Sequence, residues 1–249
     1  YGFGAGKEFV VDNPKRHFDQ PRGWAMAGRL AVRRDSISGR HVSVASPDGT
    51  GFRANDVLSF LNWTLPSLVE VFPQTSSRLL VVSGMEDMWR GGLSGRSSLY
   101  MHPDRPLVSG NRTSTLLHEL VHVASRMRSE DGADWIVEGI AEYYSLALLV
   151  RSGGISENRY NIAFKVLEQW SAGTGCVTTD RSQGKRTAAA ALVMRALDEE
   201  IRTKTDTDAS LDTLVGNLLE KSRTVTNAGF RAAAEDLVGR PVEALADCP

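Results

Sequence analysis

Five residues, His118-Glu119-Leu120-Val121-His122, carry the pattern H-E-x-x-H. A second segment, Trp135-Ile136-Val137-Glu138-Gly139-Ile140-Ala141-Glu142-Tyr143, follows shortly after. On a helix, residues four apart project from one face, so His118 and His122 can offer two imidazoles to one cation. Zinc accepts such nitrogen ligands, and Glu119 between them can take the proton from a water that the metal activates. The chain has five histidines in all, so two of them at this spacing around a glutamate form a specific signal. An amphipathic helix with a polar stripe would show the same letters without the chemistry. A catalytic zinc site needs a third protein ligand and leaves one position open. Fifteen residues separate His122 from Glu138, which lies early in a second helical stretch that Asp134 is placed to cap. Between them, Ser129-Glu130-Asp131-Gly132 has the composition of a turn and predicts an antiparallel return. Taken alone, Glu138 reads as a helix-N-terminal acid stabilised by the dipole. Beside H-E-x-x-H it reads as the third ligand.

The elements that must hold these residues are legible in outline. Residues 24–34 and 40–46 alternate loosely around Asp35-Ser36-Ile37-Ser38-Gly39, which predicts a hairpin. Over residues 54–72, Val57, Leu58, Leu61, Leu65, Leu68, Val69 and Phe72 recur at helical spacing, with Pro66 as a kink or break and Pro73 as a stop. Arg78–Ser83 reads as a short buried strand, and Ser97–His102 as an edge strand after the glycine-rich Gly91–Arg96. From the zinc-type motif onward the chain is helical. The Glu138 helix is stopped by Ser152-Gly153-Gly154, and further helices span about 157–170, 188–202, 209–220 and 227–238. The loop 171–185, rich in Gly, Ser and Thr, marks an active-site rim or a lobe boundary.

H-E-L-V-H followed by W-I-V-E-G-I-A-E-Y resembles the gluzincin metallopeptidases, in particular the aminopeptidase N and glycyl aminopeptidase families. The resemblance covers roughly residues 50–240 and is strongest at 118–144. It implies zinc as cofactor, His118, His122 and Glu138 as its ligands, Glu119 as general base, and a peptide or protein as substrate. It also implies an α+β, thermolysin-like zincin catalytic domain. After a lead-in at 1–23, this domain covers 24–249, with a small sheet lobe at about 24–110, a helical lobe at about 111–249 and the cleft between them. The gap before Glu138 is shorter than the families' usual one, so the connecting loop is trimmed. In these families a G-x-M-E-N or G-G-L-E-H segment forms an edge strand for the substrate, and its glutamate holds the free amine. Gly91-Gly92-Leu93 matches the start, but Ser94 stands where that glutamate belongs. Glu86 and Asp87 are the nearby acids that can substitute, and both also read as ordinary loop residues. Without a carboxylate there, an ammonium group loses its charge-assisted partner, so cleavage is not expected to need a free amino terminus. A tyrosine that stabilises the oxyanion in the families aligns with Thr187 here, which leaves Tyr143, Tyr144 and Tyr160 as candidates. Glu142, one turn past Glu138, can orient a ligand histidine or stand as an exposed acid.

Composition narrows the alternatives. The chain has 249 residues and a net charge of −1, so nothing in it reads as a nucleic-acid footprint. No apolar run approaches the roughly 20 residues needed to span a bilayer. Gly2-Phe3-Gly4-Ala5-Gly6-Lys7 lacks the spacing of a phosphate loop and reads as lead-in. His17 and His41 read as surface histidines. Cys176 and Cys248 can be free thiols or one disulfide that ties the tail to a mid-chain loop. The second option, with a chain that starts at Tyr1 without methionine, gives the expectation of a secreted or periplasmic protein. Two functions follow from the residues: a zinc metallopeptidase, or a peptidase fold that holds zinc and grips peptides without cutting them. Oligomeric state has no signal in the sequence.

Overall fold

A computed structural model describes residues 23–85, 87–174 and 182–248. A five-stranded mixed sheet comes first. Its strands are β1 (Leu30–Ile37), β2 (Arg40–Pro47), β3 (Arg78–Val82), β4 (Gly92–Gly95) and β5 (Ser98–Met101), in spatial order β1-β2-β3-β5-β4. The hairpin between β1 and β2 is tighter than its sequence predicts. Ser38 and Gly39, at φ +48° and +70°, turn the chain in two residues, and Asp35-Ser36-Ile37 are strand. Strands β2, β3 and β5 run parallel, and β4 closes the far edge antiparallel to β5.

The crossover from β2 to β3 is helix α1 (Ala54–Val71). Leu61, Leu65 and Leu68, each at most 1% exposed, seat it on the sheet. Pro66 does not break it, since burial of that apolar face outweighs a cost of about 3 kcal/mol for an interior proline. The segment Ser98–Met101 corrects the expected edge strand: all four residues are buried between β3 and β4, and Gly92–Gly95 is the edge. Ser98 tolerates burial because its hydroxyl accepts the Trp24 backbone N–H at 2.8 Å.

Helix α2 (Thr115–Ser125) carries H-E-x-x-H. Ser114 caps it by accepting the Leu117 N–H, and Arg126 ends it in a left-handed conformation at φ +52°. Its apolar residues Leu116, Leu117, Leu120 and Val121 pack into the same core as α1 and one face of the sheet. A two-residue strand β6 (Arg128–Ser129) pairs with β7 (Thr224–Val225), a contact with no sequence signal. The turn closes at Gly132, φ +77°, and α3 (Asp134–Arg151) returns beside α2. Asp134 does not cap this helix. It is the first helical residue, and its carboxylate accepts the Ser182 N–H at 2.6 Å.

The remaining helices are α4 (Glu157–Ser171), α5 (Lys185–Lys204), α6 (Leu211–Lys221) and α7 (Asn227–Val238), followed by a 3-10 turn at Glu243–Leu245. Helices α3 and α5 meet closely at Gly139, where a side-chain carbon would sit 2.9 Å from Ala190 Cβ and 3.0 Å from Ala190 backbone atoms. Buried Asp198 ties three elements together by accepting from Tyr143 Oη at 2.8 Å, Arg202 Nε at 2.9 Å and Leu211 N at 2.7 Å. Cys248 is buried and disulfide-bonded, while Cys176 lies outside the described residues. The phosphate-loop-like Gly2–Lys7, His17 and Glu86 also lie outside them. No helix of the described residues is long and apolar enough to cross a membrane.

Candidate metal centre

Helices α2 and α3 place His118, His122 and Glu138 in one group. The two imidazole Nε2 atoms are 3.1 Å apart. His118 Nε2 is 3.3 Å from Glu138 Oε2, and His122 Nε2 is 3.4 Å from Glu138 Oε1. Three ligands at tetrahedral angles and zinc bond lengths stand about 3.3 Å from one another. The donor set therefore fits a zinc ion in both chemistry and spacing. The three side chains keep 16%, 15% and 24% of their area exposed, so the group opens on one side.

Glu142 sits one turn past Glu138 and reaches the far nitrogen of the first histidine, with its Oε2 2.9 Å from His118 Nδ1. Burial pushes the His118 pKa down, but its hydrogen bonds to Glu138 and Glu142 outweigh this and lift the value well above the ordinary histidine range. In the metal-free chain a proton on His118 thus takes a cation's place among carboxylates. His122 behaves oppositely. Burial and the charge on His118 push it down to about 4, which leaves a neutral imidazole. Glu138 stays ionised because the two histidines overcome its desolvation.

Glu119 lies on the same helix but projects elsewhere. Burial raises its pKa, and the charge on His118 counteracts part of that rise. The start of the edge strand packs directly on this side chain: a carbon added to Gly92 would lie 2.6 Å from Glu119 Cγ. Gly91 and Leu93 flank it. The Gly91 carbonyl accepts the His102 N–H at 3.0 Å, and Leu93 is exposed. Ser94 had a sequence signal only as a missing carboxylate, and nothing in the letters places Gly92 against Glu119.

The structure does not bring the tyrosines to the group. Tyr143 follows Glu142 by one residue, about 100° round the helix, and its buried hydroxyl donates to Asp198. Burial, then the Asp198 charge, raises its pKa far above the usual range, so its proton is committed. Tyr144 makes the same kind of bond to Asp212. The Tyr160 ring packs edge-on against Phe164 with centroids 4.9 Å apart, and burial raises its pKa to about 12. Thr187 is half-buried near the start of α5. His41 is exposed on β2, and His102 is buried beside Asp104. A cavity of about 840 Å³ lies elsewhere, lined by Phe52, Asp56, Met85, Asp87, Met101 and Arg105 among others. None of its lining residues belongs to the metal group.

No protein-family model and no curated protein matches the sequence. Solved structures do. An aminopeptidase N family protein from Idiomarina loihiensis superposes with a TM-score of 0.62 at 17% identity, over 78% of this chain and 41% of that one. The M1 zinc metallopeptidase from Deinococcus radiodurans gives a TM-score of 0.59 at 17% identity, over 85% and 49%. A mutant of that enzyme bound to a Tyr-Ser-Ala substrate gives 0.59 at 20% identity, over 87% and 50%. The chain is similar in fold to M1 zinc metallopeptidases. It spans half or less of the length of these M1-type chains. At this identity the likeness concerns fold, and what the residues do rests on the site itself.

Proposed function

We propose that this chain is a zinc-dependent metallopeptidase of the M1-like fold, with His118, His122 and Glu138 as zinc ligands and Glu119 as general base. The observation that carries the reading is the convergence of two histidines and a glutamate at zinc spacing beside an intact second glutamate. A purely structural zinc site needs no base and is usually closed by four ligands. When bound, the metal supplies Lewis acidity that polarises a carbonyl and acidifies a water. Glu119 then receives the proton from the attacking water and passes it to the leaving amine. Burial raises its pKa, which strengthens it as a base, and the charge on His118 offsets part of that rise. Glu142 accepts the Nδ1–H of His118, fixing the tautomer that turns Nε2 toward the ligand group. The exposed outer edge of β4 offers backbone groups to an extended peptide. The D. radiodurans mutant bound to Tyr-Ser-Ala supports peptide as the substrate class. A disulfide at Cys248 supports an oxidising compartment, secreted or periplasmic.

One observation favours the rival reading of a zinc-holding module that binds peptides without cutting them. The hydroxyls of Tyr143 and Tyr144 are committed to Asp198 and Asp212, so neither offers an oxyanion donor. Zinc analysis and peptide turnover on the purified chain separate the two. About one zinc per chain, lost in His122→Ala, together with turnover lost in Glu119→Gln at full zinc content, is the expected result. Full zinc without turnover on a broad peptide library establishes the binding module instead. Full zinc occupancy in His122→Ala refutes the ligand assignment.

A further inference from the structure

Strand β4 and helix α2 run side by side in the same direction. Gly92, at the start of the strand, stacks on Thr115 and Glu119 of the helix. The hairpin Arg96-Ser97 that ends the strand lies at the helix C-terminus, where Arg126 Nη2 donates to Ser97 Oγ at 3.5 Å. A third element arrives at the same place: Arg223, just before β7, donates from Nη1 to the Ser125 carbonyl at 2.8 Å. The Arg223 carbonyl accepts the Arg128 N–H at 2.7 Å, which anchors its backbone beside the end of α2. Arg96, Arg126 and Arg223 are thus gathered at one end of the β4 edge from segments distant in sequence. Among the described residues none of the three forms an ion pair. Arg126 Nε is buried without an acceptor among them. Burial, then the charges of Arg223 and Arg96, lower the Arg126 pKa. The carbonyl end of a helix carries roughly half a negative charge, which one guanidinium offsets and three exceed.

We infer that Arg96, Arg126 and Arg223 form a subsite for an acidic side chain of the peptide substrate, about three residues from the scissile bond. This rests on the peptidase reading above, which puts the reacting carbonyl beside Glu119. Arg126 lies seven residues past Glu119, about 10 Å along the helix at 1.5 Å per residue. An extended peptide on the β4 edge advances about 3.3 Å per residue, so its third residue from the reacting bond reaches the arginines. A guanidinium presents its donors as a fork that a carboxylate fills with two parallel hydrogen bonds, and an amide brings no charge to match. Arg96 and Arg223 are exposed, so a ligand can reach them and their replacement leaves the core intact.

Two measurements test this, one of them without turnover. Fluorescence anisotropy reads the binding of dye-labelled peptides to zinc-loaded Glu119→Gln. The peptides are acetylated and amidated, so that a single Glu, scanned position by position, is their only carboxylate. At one position Glu should bind about tenfold more tightly than Gln, and 1 M salt should reduce the ratio to within about twofold. The double variant Arg96→Gln, Arg223→Gln should lose the preference, and Arg96→Glu alone should favour Lys over Glu at that position. With the zinc-loaded parent and quenched-fluorescent versions of the same peptides, Glu at that position should lower KM about tenfold and leave kcat within about twofold. Equal binding of every Glu and Gln pair overturns the subsite, as does a Glu preference that survives the double variant. A zinc-loaded parent that cleaves no peptide overturns the peptidase reading, and the anisotropy still decides the arginines. An active parent indifferent to Glu at every position overturns this inference alone.

Discussion

Gly139 of α3, next to Glu138, meets Ala190 of α5 at close range, and one methyl group tests that packing. A carbon added at Gly139 would lie 2.9 Å from Ala190 Cβ and 3.0 Å from its backbone C and O. Carbon contacts relax only near 3.5–4.0 Å, so the helices must part by roughly 0.5–1 Å. Neither contact partner is the end of a flexible side chain, so the shift falls on helix backbone. Overpacking of this kind costs about 1–3 kcal/mol, and three close contacts put Gly139→Ala near the upper value. Replacing a helical glycine by alanine gains about 1 kcal/mol in propensity, which leaves a net loss of about 2 kcal/mol. Gly216 is the matched control: it is helical on α6, with nothing within 4 Å of an added carbon. Gly216→Ala should therefore stabilise by about 1 kcal/mol. The same chemical change is expected to have opposite signs at the two positions, about 3 kcal/mol apart, by urea unfolding of the metal-free chain. Because Glu138 precedes Gly139, the first variant should also bind zinc more weakly, and the second should not. A Gly139→Ala variant as stable as the parent would refute the close packing of α3 on α5.

Three further outcomes follow from the site and the tail. Glu142→Gln should weaken zinc binding about 10–100-fold, measured by competition with a chelator, because a carboxamide cannot accept the His118 proton as strongly. Unchanged affinity would show that Glu142 does not orient that ring. The metal-free chain should be most stable near pH 6.5 by urea midpoint. The raised His118 pKa stabilises below the unfolded value of about 6.5, and this is lost as pH rises through the folded pKa; the depressed His122 pKa stabilises above it, and this is lost as pH falls toward about 4. A midpoint that rose steadily with pH would contradict the assignment of the proton to His118. Thiol titration of denatured, unreduced protein made under oxidising conditions should find neither Cys176 nor Cys248 reactive, and two free thiols would exclude the bridge.

What the sequence determined by itself is local. Histidines four apart around Glu119 share a helix face at any α-helical geometry, and apolar residues at 3.6 spacing mark α1 and α2 without knowledge of their neighbours. Gly132 before α3 is a chemical signal carried by a single residue. The tertiary structure decided everything that depends on a partner distant in sequence. Whether Ser98–Met101 is an edge or an interior strand depends on where β4 lies, and four letters of alternation cannot say. Asp134 was available as a cap, but Ser182, 48 residues away, takes its carboxylate. Tyr143 looks like a free hydroxyl until Asp198, 55 residues on, is buried against it. Gly92 reads as part of a loop-like glycine run and comes to pack on Glu119 only when the edge strand is laid along α2. Backbone torsions and helical periodicity are written within a few residues of the chain. Burial and hydrogen-bond partners are set by which segments meet, and each of these meetings joins segments that no local pattern links.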